Sequence, residues 1–368
     1  LPVAAIEEAA ERLAGLEGSA LRVRPRQCLN LRHLRAGCSA CAEACPTKAI
    51  RWSPRLRVEP FDCAQCGACA TACPAGALEV RDSVWCRRLA QISRAVAGTG
   101  RVLFACPLHL RRDRSLRRRT DVVEVPCVGA IQPWEIVAAV AFGAASVLLL
   151  EARCSRCTYR VAHGRAVRTV EEAQSLLAAW GRREEVRLGS EPPASTEAGS
   201  AFRALAGLLP QKGRSADEEL ARRGLEPQEI GGDTTQPQDP GEGLERWIPS
   251  SHRKLLFFLH RLGEPAADRV APNAPLAHVE VAPDCTGCGM CAYFCPTGAL
   301  RKRETAGKTE LAFRAQECTN CGFCTRICYQ GAIRTTEARP GAVLSGEEQV
   351  LWSGRPSTPQ ERLARRLV

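Results

Sequence analysis

Aromatic side chains supply only 5% of this 368-residue chain, and none falls within its arginine run from Arg111 to Arg119. That leaves little to stack against single-stranded nucleic acid, the partner a formal charge of +11 would otherwise suggest. Lysine is confined to Lys48, Lys212, Lys254, Lys302 and Lys308, a mark of genome composition rather than of chemistry. No long apolar run exists either. The longest, Ile136–Leu150, is broken by Gly143 and falls short of the roughly 20 residues a spanning helix needs. It reads as helix, turn and buried strand, so any membrane would be met through another subunit. The chain offers no Gly-rich phosphate loop, no paired-carboxylate motif and no Ser/His/Asp arrangement, so no catalytic constellation stands out.

What the chain has is cysteine, 21 of them. No charged–apolar–small-residue leader opens the sequence, and the cysteine spacings suit metal ligation better than bridging. Thiolate–metal sites persist in a reducing cytoplasm where disulfides rarely do, so a cytoplasmic setting is expected. A four-thiolate iron–sulfur site carries a net charge of about −2, and five of them about −10, which offsets most of the basic excess.

Two cysteine-dense blocks, Cys28–Cys73 and Cys285–Cys328, repeat one another. Each half ends on a cysteine followed by a helical turn and an Ala-Ile or Ala-Leu pair, as in Cys45-Pro46 and Cys295-Pro296. The runs Cys285, Cys288, Cys291, Cys295 and Cys318, Cys321, Cys324, Cys328 have the bacterial ferredoxin spacing. Close spacing lets one loop wrap three thiolates round a cubane corner, while the fourth cysteine leads away and ligates the neighbouring cluster. One [4Fe–4S] site is therefore expected from Cys285, Cys288, Cys291 and Cys328, and a second from Cys318, Cys321, Cys324 and Cys295. Gly287, Gly289 and Gly322 suit the turns that aim amides at sulfur. Zinc also uses Cys-x2-Cys pairs, but it does not ask for four even spacings repeated with a terminal Cys-Pro.

The first block follows the pattern in Cys63, Cys66, Cys69 and Cys73 and departs from it in Cys38, Cys41 and Cys45, where Arg35 stands in place of a fourth thiol. Cys28 is the nearest candidate, and a longer loop adds little closure entropy. The expected sets are Cys28, Cys38, Cys41 with Cys73, and Cys63, Cys66, Cys69 with Cys45. The alternative leaves Cys28 a buried spare thiol beside a three-iron cluster.

Between the blocks, apolar runs at Arg101–Ala105, Asp121–Val125 and Ser146–Leu150 read as strands. A helix starts at Pro133 and stops before Gly143, and Thr169 with Glu172 suggests a capping box opening another. Strands alternating with helices argue for a small α/β parallel sheet, whose sites form beyond the strands' carboxyl ends. Cys106, Cys127, Cys154 and Cys157 follow three such ends and are expected to converge. Cys86 reads as a packed thiol.

The phrases Phe104-Ala105-Cys106, Val125 through Gly129, and Glu151 through Tyr159 resemble the delta subunit family of the methyl-viologen-reducing hydrogenases, over about residues 100–182. The resemblance implies a [2Fe–2S] cluster on Cys106, Cys127, Cys154 and Cys157. It also implies electron transfer between a hydrogenase or formate dehydrogenase and a flavoprotein related to heterodisulfide reductase. The family often has a second cysteine soon after the first, where this chain has Pro107, Leu108 and His109. Zinc and a redox-active Cys154–Cys157 pair stay open as competing readings.

The expected class is α+β and multidomain, two ferredoxin-like modules around a central α/β domain. The divisions are 1–84 with a leading amphipathic helix near 4–17, 85–186, a flexible linker over 187–250, 251–340 and a basic tail over 341–368. Arg111, Arg112, Arg114, Arg117, Arg118 and Arg119, between two ligand-bearing strands, offer a docking patch for an acidic partner. The function expected is an electron-transfer subunit with no activity of its own. A free polyferredoxin-type carrier and a thiol/disulfide oxidoreductase using Cys154 and Cys157 are the alternatives.

Overall fold

The computed structural model describes residues 21–33, 36–52, 55–191, 215–225, 230, 244, 246–266, 269–305 and 308–356. The leading helix expected near residues 4–17 and the last twelve residues of the tail, 357–368, lie outside them.

The first block folds in short pieces because loops that wrap a metal leave little room for regular structure. In chain order these are β1 (Leu21–Val23), α1 (Leu29–Arg32), α2 (Ala40–Glu43), β2 (Ile50–Arg51), β3 (Arg57–Val58), α3 (Ala68–Ala72) and β4 (Leu78–Val80). Two antiparallel pairs result. The ends of the block join as β1 with β4, Leu21 opposite Val80, and its middle as β2 with β3, Ile50 opposite Val58. Their core is small and includes Cys28, Cys41 and Cys69 among its buried members.

The central domain opens with α4 (Asp82–Thr99), which stops at Gly100, whose left-handed backbone (φ 69°) releases the chain into β5 (Arg101–Ala105). After α5 (Pro107–Arg112) and β6 (Val122–Glu124), α6 (Pro133–Ala141) starts with proline in its first turn. The Glu135 carboxylate accepts from the Gln132 N–H at 2.8 Å there. β7 (Ser146–Leu150), α7 (Arg160–Leu177) and β8 (Val186–Gly189) complete it. The four strands lie all parallel in the order β6-β5-β7-β8. Val147, Leu149 and Leu150 of β7 are fully buried, as expected for a sheet covered on both faces.

Up to residue 250, two features differ from the sequence reading. Thr169 and Glu172 do not open a helix: α7 already began at Arg160, and both residues serve packing within it. The Thr169 hydroxyl donates to the Ile131 carbonyl at 3.2 Å, and Glu172 binds Arg165. The span 187–250, read as linker, instead supplies most of β8 and a helix, α8 (Ala216–Ala221). Leu220, Leu225 and Ile230 join the central core, where the Glu219 carboxylate accepts from the Ser93 hydroxyl at 2.6 Å. Burial of a few leucines decided this against a polar composition.

The chain then forms α9 (Ser250–Arg261), whose Leu255, Leu256, Phe258 and Leu259 are buried, with Phe258 stacked on Trp134 of α6 at 6.1 Å. The second block follows as β9 (Ala277–Val281), α10 (Met290–Tyr293), β10 (Leu300–Thr305), β11 (Lys308–Arg314), α11 (Phe323–Ile327) and β12 (Ile333–Glu337). β9 pairs with β12 and β10 with β11, the same end-to-end and hairpin scheme as the first block. The segment read as a basic tail adds α12 (Pro340–Leu344) and β13 (Glu348–Gly354), which extends the hairpin as a third strand. Among the described residues no helix is long and apolar enough to cross a membrane.

Candidate metal centres

The loops that carry the regularly spaced cysteines turn on a left-handed residue. In three of the four halves, glycine follows the second cysteine and caps the short helix bearing the third: Gly67 (φ 79°), Gly289 (φ 75°) and Gly322 (φ 63°). An L side chain is disfavoured there. The irregular half has Ser39 at φ −118° instead, so its loop enters differently and Cys28 arrives from the far side of α1.

The loops bring the thiols together in fours. Cys28, Cys38, Cys41 and Cys73 line one cavity, closed by Leu29, Trp52, Leu56 and Pro74. Cys45, Cys63, Cys66 and Cys69 line a second, and Cys285, Cys288, Cys291 and Cys328 a third. The remaining set shows itself electrostatically: burial foremost, then neighbouring Cys321, Cys295 and Cys324, drives the Cys318 thiol well above its ordinary value. The crossing of the fourth cysteine into the neighbouring set is thus present in both blocks, and Cys28 completes its cage.

Thiols in these cages resist ionising alone. Burial, then Cys73, Cys38 and Cys28, pushes Cys41 up to about 12, and burial followed by Cys321 and Cys295 pushes Cys324 up to about 12. Four thiolates crowded in a dry space need positive charge between them. Backbone amides already point at sulfur: Ala49 N–H to Cys45 Sγ at 3.2 Å and Gln65 N–H to Cys63 Sγ at 3.4 Å. Such donors tune a metal-bound thiolate. Among the described residues no three His, Cys, Asp or Glu groups converge as a single ion requires.

The central cysteines lie where the parallel sheet places sites. Cys106 caps α5 directly after β5, Cys127 follows β6, and Cys154 and Cys157 bracket the turn after β7. Burial, then Cys66, Cys106 and Cys154, pushes Cys127 up to about 12. Cys154 goes up to about 11, from burial and then Cys106, Glu151 and Cys157. The Tyr159 N–H reaches Cys157 Sγ at 3.4 Å. Cys86 is buried in α4 beside Trp85, within the apolar core.

Both cysteine blocks match a known family. Residues 35–77 and 284–338 match the 4Fe-4S dicluster domain, and residues 105–205 match the methyl-viologen-reducing hydrogenase, delta subunit. Two dicluster domains imply four [4Fe–4S] clusters, and the cages fit them. Cys28 lies outside the matched segment and is brought in by the fold alone. The delta-subunit match starts at Ala105, the last residue of β5, so β6, β7, β8 and the four cysteines Cys106, Cys127, Cys154 and Cys157 lie within it. No curated protein and no solved structure matches the chain. The chain is therefore an iron–sulfur electron-transfer protein with a delta-subunit-like domain between dicluster domains.

Of the arginine run, Arg111, Arg112, Arg114, Arg117 and Arg118, in the segment between Cys106 and Cys127, are exposed, while Arg119 is held by Asp121 at 2.6 Å. The run's length could not reveal that one member is taken. Arg153, Arg156 and Arg160, not singled out from sequence, are exposed around Cys154 and Cys157 and enlarge the basic rim.

Proposed function

We propose that this chain is the subunit that relays electrons between a catalytic redox subunit, of hydrogenase or formate dehydrogenase type, and a flavoprotein of heterodisulfide-reductase type. The convergence of Cys106, Cys127, Cys154 and Cys157 at the carboxyl edge of the delta-subunit-like sheet carries the reading, because it gives the chain a fifth site besides its four cubane cages. The proposed ligands are Cys28, Cys38, Cys41, Cys73; Cys45, Cys63, Cys66, Cys69; Cys285, Cys288, Cys291, Cys328; and Cys295, Cys318, Cys321, Cys324 for [4Fe–4S]. The central four would hold a [2Fe–2S] cluster. A cluster held wholly by thiolates takes up and returns one electron and leaves no position open for a substrate. The chain's residues supply the sulfurs, the amide donors and the dry surroundings.

The exposed arginines beside the central cysteines favour an acidic docking partner at that end. A dithiol oxidoreductase at Cys154 and Cys157 is less well supported, since reactive thiols have depressed pKa values and burial raises that of Cys154.

Iron and acid-labile sulfide on anaerobically purified protein, with reduced-state EPR, test the assignment. About 18 irons per chain are expected, from four cubanes and one two-iron cluster, with the two-iron signal lost in Cys154→Ser. In Cys28→Ser, iron falls and a three-iron signal appears in the oxidised protein. About 16 irons with bound zinc would leave the central site without its proposed role.

A further inference from the structure

The two dicluster domains touch. Leu29, Ala36 and Ala75 of the first form one buried apolar group with Phe323 and Ile327 of the second, and Cys38, Phe294 and Cys321 pack against it. The His33 ring stands edge-on to Phe294 with centroids 4.8 Å apart and reaches Phe323 at 6.4 Å. Leu29 and Ala75 also line the cage of Cys28, Cys38, Cys41 and Cys73. Phe323 lies between Cys321 and Cys324 at the start of α11. Side chains that wall one cage thus pack against side chains that flank the other.

A second junction joins the first block to the central domain. Cys66 is buried with Ala44, Ala68 and Ala162, and Cys127 and Tyr159 pack against them. The backbones are close: a Cβ on Gly67 would stand 2.9 Å from that of Ala130, and the Thr71 hydroxyl donates to the Ala130 carbonyl at 3.1 Å. The cages on either side of this seam are those of Cys66 and Cys127.

We propose that the chain sets its five cages in one unbranched line, from the Cys127 cage through the Cys66, Cys38 and Cys321 cages to the Cys285 cage. The proposal rests on the cluster assignment made above. Within each block the crossing fourth cysteine links the two cages, and the two seams supply the remaining steps. The first block therefore sits in the middle of the line, and its two ends lie in different parts of the molecule. One end is the arginine-rimmed central site. The other is the Cys285 cage, walled by Met290, Thr309 and Leu311 and covered at Gly287 by Trp352 of β13. The alternative is a fork, with each dicluster domain joined separately to the central site.

Reduced-state EPR of the full, anaerobically loaded chain distinguishes line from fork. Cys288→Ala, made throughout together with Cys291→Ala so that only two thiols of the cage remain, removes the cluster of the terminal cage. The cluster held by Cys295, Cys318, Cys321 and Cys324 then still shows splitting and fast relaxation from its neighbour across the seam. Adding Cys28→Ala and Cys41→Ala empties the cage across the seam, abolishes that coupling and leaves an isolated signal. An isolated, slowly relaxing signal already in Cys288→Ala, with iron analysis showing the other clusters present, overturns the line. A wild-type iron content too low for four cubanes would instead strike the ligand assignment, and the line with it. A second measurement touches no ligand. His33→Ala and Phe323→Ala remove the two sides of one contact, so the double variant shifts the unfolding midpoint by less than the sum of the singles. Additive shifts mean that the domains do not meet there.

Discussion

His252 shows how a single buried group ties this molecule to pH. It lies on α9, 5% exposed, with Nε2 against the Gln316 carbonyl at 2.7 Å, two residues before Cys318. Burial pulls its pKa down from 6.5 to about 4, the bond to Gln316 opposing only weakly. Between those values the unfolded chain takes up a proton that the folded chain refuses, so stability is full above about pH 6.5 and is lost as pH falls towards 4. The expected loss is about 2 kcal/mol by pH 5. Denaturant midpoints of anaerobic holoprotein near pH 7 and pH 5 check this, with His252→Gln as the reference that subtracts acid loss of iron. An identical pH dependence in both proteins would mean that His252 contributes nothing. No sequence pattern pointed to this residue, because a lone histidine on an amphipathic stretch reads the same whether buried or bare. Cys28 was more legible: the ferredoxin spacing is a local wrap around one metal corner, and a gap in it points to the nearest upstream thiol, which lines the cavity of Cys38, Cys41 and Cys73.

Elements differ in how far neighbours in sequence decide them. The strands Arg101–Ala105 and Ser146–Leu150 were read with their observed bounds, since runs of buried branched residues between glycine-marked turns leave few alternatives. The Thr169 helix start was misread because a capping box needs a helix that begins there, and α7 was already two turns along. β8 and β13 were missed for one reason: each borrows its burial or its hydrogen bonds from strands distant in the chain, β8 being short and β13 showing no buried face of its own. The turn after Cys127 is an element set by clearance. A Cβ on Gly129 would stand 2.3 Å from the Ala162 carbonyl oxygen of α7, which is backbone and cannot swing aside. Gly129→Ala is expected to cost about 1–3 kcal/mol or more and to loosen the central site two residues away. Thermal unfolding together with the two-iron EPR signal measures both, and a fully stable variant with an unaltered signal would contradict the packing described.

Across the whole molecule, two kinds of core hold different parts together. The sheet domain packs Val102, Phe104, Ile136, Val137, Val147 and Leu149 into an extensive apolar cluster that needs no metal. The first block has a small core in which cysteines take the place of leucines. Removing iron with an anaerobic chelator should therefore strip hydrogen-exchange protection from residues 21–80 and from the Cys285–Cys328 loops, while Arg101–Ala105 and Ser146–Leu150 stay protected. Uniform loss across the chain would place the central sheet under metal control as well. The cysteine spacing alone was enough to foresee which thiols line common cavities, because a loop that wraps a corner is built from residues a few positions apart. Alternating strands and helices were likewise enough to send Cys106, Cys127, Cys154 and Cys157 to one sheet edge. The meeting of Leu29 and His33 with Phe323, and hence the order of the cages, was decided only by tertiary packing. Such contacts are chosen by how apolar surfaces distant in the chain fit together, and no local periodicity encodes that fit.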